Sequence, residues 1–232
     1  MIWYLLHSYK TSANNKAIIL NDEVISDNPN GGSGKGIFCN ALKYVKKTDF
    51  IDGKQFDFKK NLAYQTLNAD TQILVFDDVE KNFNFESLFS IITEGITIEK
   101  KNKDAIKIPV QRSPKIVITT NYTIGGVGGS FDRRKFEVEF SSYFNAIYTP
   151  ELEFWGLLFV VWDENEWNMF YSFMIDCLKY YLKYGLVKCE HKNLELRKLY
   201  KETSQEFVDF MDEKNFEIEE RINITDIYND FI

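Results

Sequence analysis

The residues with the clearest chemical potential begin at "SDNPNGGSGKGIF", residues 26–38. Gly31, Gly32 and Gly34 allow successive backbone N–H groups to turn inward around an anion, which Cβ atoms would hinder. Lys35 follows and has the reach to touch the outer phosphates of a nucleotide. A helical pattern starts there, so free N–H groups and the helix dipole add to the attraction for an anion. The stretch departs twice from the phosphate-loop pattern G-x-x-x-x-G-K-[ST]. Pro29 stands in place of the first glycine, and Gly36 in place of the hydroxyl residue that ligates Mg²⁺. Pro29 fixes φ near a value common in turns and can shape the loop by itself. Gly36 leaves a metal coordination position to water, with Asp77 on the far side, since Mg²⁺ keeps several waters readily. A purely structural glycine turn fits the same residues.

Three further groups could complete such a site. "ILVFDDV" (73–79) is an apolar run closing on Asp77 and Asp78. One carboxylate suits Mg²⁺, and the next suits orienting or deprotonating an attacking water. "KIVITTN" (115–121) closes on Asn121, a neutral amide able to position a phosphate or a water; Asn also favours strand-end turns. "SFDRRKFEVEF" offers Arg133 and Arg134, whose guanidinium forks match phosphate oxygens; an exposed basic turn has the same composition.

The elements that must position these groups read as follows. Residues 2–9 predict a short helix. "AIIL" (17–20) is a buried strand, with "EVIS" (23–26) a weaker competitor for that role. Ile37, Phe38, Ala41, Leu42 and Val45 recur at helical spacing. "DFID" (49–52) fits a strand and "FDFKKNLAYQTL" (56–67) a helix. "QILVFDD" and "KIVITTN" read as buried parallel strands. "FESLFSIITEG" (85–95) is helical and stops at Gly95, a good C-cap residue. "ITIEKKNKDAIKIPV" (96–110) alternates on both sides of a polar centre, as a β-hairpin does. Its lysines, Lys100, Lys101, Lys103 and Lys107, suit a phosphate backbone without base stacking, since no aromatic sits at the tip. "KFEVEF" (135–140) alternates as a strand. From about residue 148 the periodicity is helical, including residues 166–186, 193–215 and the closing "ITDIYNDFI". The pattern predicts an α/β fold: a parallel sheet core over residues 1–147, then a helical C-terminal region over 148–232.

Composition narrows the function classes. The 232 residues carry a net charge of −7, which excludes a basic nucleic-acid coat. The charge is uneven: Glu94 to Lys135 holds nine Lys/Arg against four Asp/Glu, and Glu190 to Ile232 holds six against twelve. A local basic patch on an acidic protein still serves phosphate backbones. Cys39, Cys177 and Cys189 have no C-x-x-C spacing, and His7 and His191 are the only histidines. Neither a disulfide framework nor a zinc site follows, and the expected setting is a reducing cytoplasm. No signal-peptide layout is visible. The longest apolar run, Phe154 to Trp162, is too short to cross a bilayer and reads as a buried helix or strand; no membrane partner is expected.

Taken in order, the phosphate loop, the Asp-Asp strand, the lysine-bearing hairpin, the "TTN" strand and the paired arginines resemble superfamily 3 helicases of the AAA+ P-loop ATPase class. The closest type is the helicase part of phage and plasmid primase-helicases, and the likeness covers about residues 2–142. It implies ATP with Mg²⁺ as cofactors. ATP would be bound by Asn30, Gly31, Gly32, Ser33, Gly34, Lys35, Gly36 and Ile37. Lys35 would be the Walker A lysine, Asp77 and Asp78 the Walker B pair with Asp77 on the metal, and Asn121 sensor 1. Arg133 or Arg134 would complete a neighbour's site in a ring, typically a hexamer. The hairpin would grip single-stranded DNA, and unwinding would serve replication of a phage or mobile element in a bacterial or phage-infected cytoplasm. No priming site is evident and little chain precedes the core, so any priming domain is expected on a missing segment or on another protein, a primase or other replication partner. Two alternatives remain: a nucleotide- and DNA-binding scaffold or loader-like subunit with weak or no turnover, and another P-loop NTPase such as a packaging motor.

Overall fold

The computed structural model describes residues 1–23, 31–60, 62–126, 128–187, 191, 193–214 and 221–232. Five strands form one sheet: β1 (Ala17–Asp22), β2 (Thr48–Asp52), β3 (Ile73–Val79), β6 (Lys115–Thr120) and β7 (Lys135–Phe140). The order is β2-β3-β6-β1-β7 and every pairing is parallel. The fold is therefore α/β, with a parallel sheet flanked by helices.

The near-continuous apolar runs follow from burial on both faces. Side chains alternate between two cores. Ile19, Leu74, Phe76, Ile116 and Ile118 face one, and Ile18, Leu20, Ile73, Val75 and Val117 face the other. The second core is closed by Tyr4 and Leu5 of α1 (Ile2–Leu6), by Cys39 and Leu42 of α2 (Lys35–Leu42), and by Tyr181 of the long helix α6 (Glu164–Tyr184). The first core is closed by a 3₁₀ turn at Phe85–Leu88, by α3 (Phe89–Thr93), and by a separate antiparallel pair, β4 (Gly95–Ile98) and β5 (Ile106–Pro109).

Parallel neighbours need crossovers. Helix α2 links β1 to β2. α3 and the hairpin lie between β3 and β6, and α4 (Gly129–Asp132) lies between β6 and β7. The helix expected over 56–67 is absent among the described residues. That segment is a chain of turns whose Phe56, Phe58 and Tyr64 pack against the core, with Phe56 and Phe58 against Phe76. Asp57 Oδ1 accepts from the Lys59 N–H at 2.8 Å, and Leu62 has φ 63°. Aromatic anchoring and a left-handed residue override the helical periodicity.

The C-terminal elements are α5 (Pro150–Glu153), α6, α7 (Leu194–Glu202), α8 (Gln205–Lys214) and α9 (Ile224–Phe231). Where one helix is expected over 193–215, the described residues 193–214 form two, broken at Thr203 and Ser204; Asn215 lies outside the described residues. The run Phe154 to Trp162 is neither buried nor regular. Trp155 is 95% exposed, Val160 and Val161 about 70%, and Trp155 and Phe159 have positive φ. The reason is local: Asp163 and Glu166 form a capping box that starts α6 just after the run, leaving it in turns on the surface. Among the described residues, no helix is long and apolar enough to cross a membrane. Cys39 and Cys177 are buried free thiols; Cys189 lies outside the described residues.

Gly95 opens β4 rather than capping α3, whose C-cap is Glu94. Its φ is +120°, and a Cβ there would lie 2.1 Å from the Ile108 carbonyl oxygen. Gly95→Ala should therefore destabilise the protein by roughly 3 kcal/mol, the scale of a strained backbone plus an overlap. Urea denaturation checks this; a midpoint unchanged from wild type would show that the hairpin register is not tied to this glycine.

Candidate functional site

All strands of the main sheet run the same way, so the residues that close their apolar runs gather at one edge. Asp22 ends β1, Asp77 and Asp78 lie at the end of β3, and Asn121 follows β6. The glycine loop and the start of α2 complete a cleft of about 500 Å³ at that edge. Gly31, Gly32 and Gly34 have φ of 65°, 84° and 95°, all in the left-handed region. Among the described residues no side chain caps the N-terminus of α2, so no cap competes there with an anion. Asn30 and Pro29 lie outside the described residues.

Lys35 sits in this cleft between two partners. Its Nζ lies 2.5 Å from Asp22 Oδ1 and donates to Asn121 Oδ1 at 2.8 Å. The Ser33 hydroxyl also donates to Asp22. Residues 22, 35 and 121 thus meet from three elements, and the lysine is held where an anion entering the loop would meet it.

The Asp pair is shaped by a break in the ladder. The β3–β6 register shifts between Phe76 and Val79, and Asp78 has φ 54°. This is a β-bulge, the device that re-aims side chains next to a site. One hydroxyl holds it. Thr119 Oγ1 donates to Asp77 Oδ1 at 2.6 Å and accepts from the Asp78 N–H at 2.7 Å. Beyond it, Thr120 Oγ1 donates to the Val79 carbonyl at 3.1 Å. Asp78 turns outward and meets Lys54, which follows β2, at 2.5 Å. That hydrogen bond raises the Lys54 pKa.

Mg²⁺ typically takes one or two carboxylates plus phosphates and waters. Asp77 fits that donor set: its Oδ1 is fixed by Thr119, and its Oδ2 makes no hydrogen bond among the described residues. At Gly36 an added Cβ would meet nothing within 4 Å. The missing hydroxyl is thus a feature of the sequence rather than of the available space.

The arginines are not brought to the cleft. β7 runs parallel to β1, so the residues preceding it fall at the opposite edge of the sheet. Arg134 lies 4.4 Å over the Phe89 ring and donates to the Ser130 carbonyl at 2.8 Å; Arg133 is exposed. The hairpin lysines do not line the cleft either. Lys101, Lys103 and Lys107 are exposed and Lys100 is half-buried, around a turn with Asn102 at φ 58°.

Asp22, Thr119, Lys54 and the cleft-lining Asn145 and Glu151 escape sequence reasoning. Two carried a signal. "AIILND" closes on a polar pair just as "ILVFDD" does, and "TTN" places a hydroxyl two residues before Asn121. Lys54, Asn145 and Glu151 come from loops whose placement depends on tertiary packing.

A family model described as "Family of unknown function (DUF5906)" matches residues 27–134. No curated protein matches the chain. Two solved structures of the C-terminal region of NrS-1, both apo A forms, are similar. One shares 17% identity with a TM-score of 0.47; the other, of residues 305–718, shares 19% with a TM-score of 0.44. Each match covers 98% of this chain and 55% of the other, so this chain spans about half the length of those proteins.

Thr119 is 3% exposed and joins both aspartates, so Thr119→Val should cost about 1–3 kcal/mol of stability through the unsatisfied Asp78 N–H. Thr119→Ser should restore most of it. Thermal unfolding of the two variants measures this, and equal melting temperatures would show that the hydroxyl does not hold the bulge.

Proposed function

We propose that the cleft binds and hydrolyses a nucleoside triphosphate, ATP, and that the energy drives movement along single-stranded DNA. The observation that carries this reading is that Asp77 and the hydrogen-bonded pair Lys35 and Asn121 line one cleft with the glycine loop. Each supplies one part of phosphoryl-transfer chemistry. The loop N–H groups cradle the phosphates. Lys35 exchanges Asp22 for an outer phosphate oxygen. Asn121 positions the terminal phosphate or the attacking water without adding charge. Asp78 orients that water and accepts its proton. Mg²⁺, when bound through Asp77, supplies neutralisation of charge on the phosphate oxygens. Because Arg133 and Arg134 lie at the far edge of the sheet, either acts only on a neighbouring subunit's cleft, which the ring arrangement of superfamily 3 helicases would provide. Arg133 suits that role better, since Arg134 is stacked within its own subunit.

The hairpin supports the DNA part of the reading. Its lysines project from a two-stranded unit joined to the main sheet by packing rather than by hydrogen bonds, and can follow a phosphate backbone without reading bases. The relation to phage or mobile-element replication rests on the resemblance of the motif set to superfamily 3 helicases. A second reading, a nucleotide- and DNA-binding scaffold with little turnover, is favoured by one observation: the cleft lacks the hydroxyl at position 36.

Phosphate release with and without single-stranded DNA separates the two. Wild type should show Mg²⁺-dependent turnover stimulated by DNA, and Lys35→Ala should lose it by about 10²-fold or more. Gly36→Thr should fold normally and lower the Mg²⁺ concentration giving half-maximal activity. Nucleotide binding without turnover in wild type would select the scaffold reading. For the hairpin, Lys100→Ala with Lys101→Ala should weaken binding to single-stranded DNA uniformly across sequences and flatten its salt dependence by about 1.4 in log–log slope. Strand displacement as fast as wild type would remove the hairpin from the DNA path.

A further inference from the structure

A second recess opens at the opposite edge of the sheet, where β2, β3 and β6 begin. It has a volume of about 250 Å³, and its lining includes His7, Lys10, Lys46, Arg112 and Lys115. Lys10 is 4% exposed and Lys115 2% exposed. Lys115 Nζ donates to the Tyr4 carbonyl, lies 3.9 Å over the Tyr4 ring, and stands 3.3 Å and 3.4 Å from the two His7 ring nitrogens. None of these partners carries a negative charge. Among the described residues, Lys10, Lys46, Arg112 and Lys115 form no ion pair, and the one carboxylate on the lining, Asp70, is engaged by Lys47.

Burying cations together without a counter-charge is costly, and buried charges are normally paired. A chain with 35 Asp/Glu has acids to spare, yet none of the described ones pairs with these lysines. The lysines also disfavour one another. Burial, then Lys10 and Lys46, pushes Lys115 down to about 7, and burial pushes Lys10 down to about 8. Burial, then Lys115 and Lys46, takes His7 down to about 4. The volume is below that of a typical small-molecule pocket, but one tetrahedral anion with its waters fits. The seven residues of β3 put it roughly 20 Å from the nucleotide cleft.

We propose that this recess is a second anion site, built for a phosphate dianion or a terminal phosphomonoester. Lys10, Lys46 and Lys115 supply its charge, with Arg112 at its margin. The ligand is either free phosphate or the terminal phosphate of a nucleic-acid strand. The proposal does not depend on turnover at the cleft.

The test uses the full chain carrying Lys35→Ala, so that the glycine loop contributes little. Calorimetry with inorganic phosphate should detect binding. Lys10→Met and Lys46→Met should each weaken it about tenfold or more, the scale of one charge-assisted hydrogen bond. Without phosphate these variants should melt at or above the parent temperature, because a desolvated charge has been removed; this separates lost binding from lost folding. Sulfate, whose charge is constant, gives the pH arm. The titratable and charged groups around Lys115 are Tyr4, His7, Lys10, Lys46, Asp70, Arg112 and Tyr181. Lys115 and Lys10 are protonated below their lowered values, so sulfate should bind best below about pH 7 and weaken as pH rises through 7 to 8. A 5′-phosphorylated strand binding tighter than its 5′-hydroxyl counterpart, with the difference removed by Lys10→Met, assigns the site to a strand end. Equal binding of the two strands, with phosphate still bound, assigns it to the free ion. No phosphate binding by the Lys35→Ala chain at about 10 mM, or binding unchanged in the Lys10→Met/Lys46→Met chain, overturns the proposal.

Discussion

The geometry of the cleft depends on a single side-chain hydroxyl. Thr119 accepts from the Asp78 N–H and donates to the Asp77 carboxylate, and so stands in for the ladder bond that the β3–β6 bulge gives up. Without it the bulge would leave a backbone donor unpaired in a nearly dry place. With it, two consecutive carboxylates leave the strand in different directions. One stays against β6 and the other swings toward the chain after β2.

The sheet converts this local device into a site. Parallel pairing aligns the ends of β1, β3 and β6, and two apolar layers fix the strands from either side. Interaction between Lys35 and Asn121 spans 86 residues of sequence but needs only one strand-to-strand step through β1 and β6. Packing is therefore what sets the distances, and the loop glycines supply the backbone shape within that frame.

Much of this was legible in the chain. "AIIL", "ILVF" and "KIVIT" read as parallel strands because burial on both faces leaves no polar alternation, and the hairpin was marked by alternation around a lysine-rich turn. Asp77, Asp78 and Asn121 stood out because each ends or follows such a run, and Lys35 because it follows the glycine loop. What escaped has physical causes. Residues 56–67 have helical spacing, but their aromatic rings reach Phe76 only from turns. Residues 154–162 are apolar, yet composition alone does not show whether anything covers a segment. The separation of the arginines from the cleft required the direction of β7, which periodicity does not reveal. Lys54 reaches Asp78 across two strands, a contact no local pattern encodes.

The hairpin has a further consequence. Among the described residues β4 and β5 pair only with each other, so each presents an outer row of backbone groups with no strand beside it. Such edges are templates for unwanted pairing between molecules, the more so with Ile106 nearly half exposed. Lysine is the residue that most often guards an open edge, and Lys107 lies on one. The positive charge that the proposed function assigns to a phosphate backbone would therefore also discourage two copies of this hairpin from pairing edge to edge.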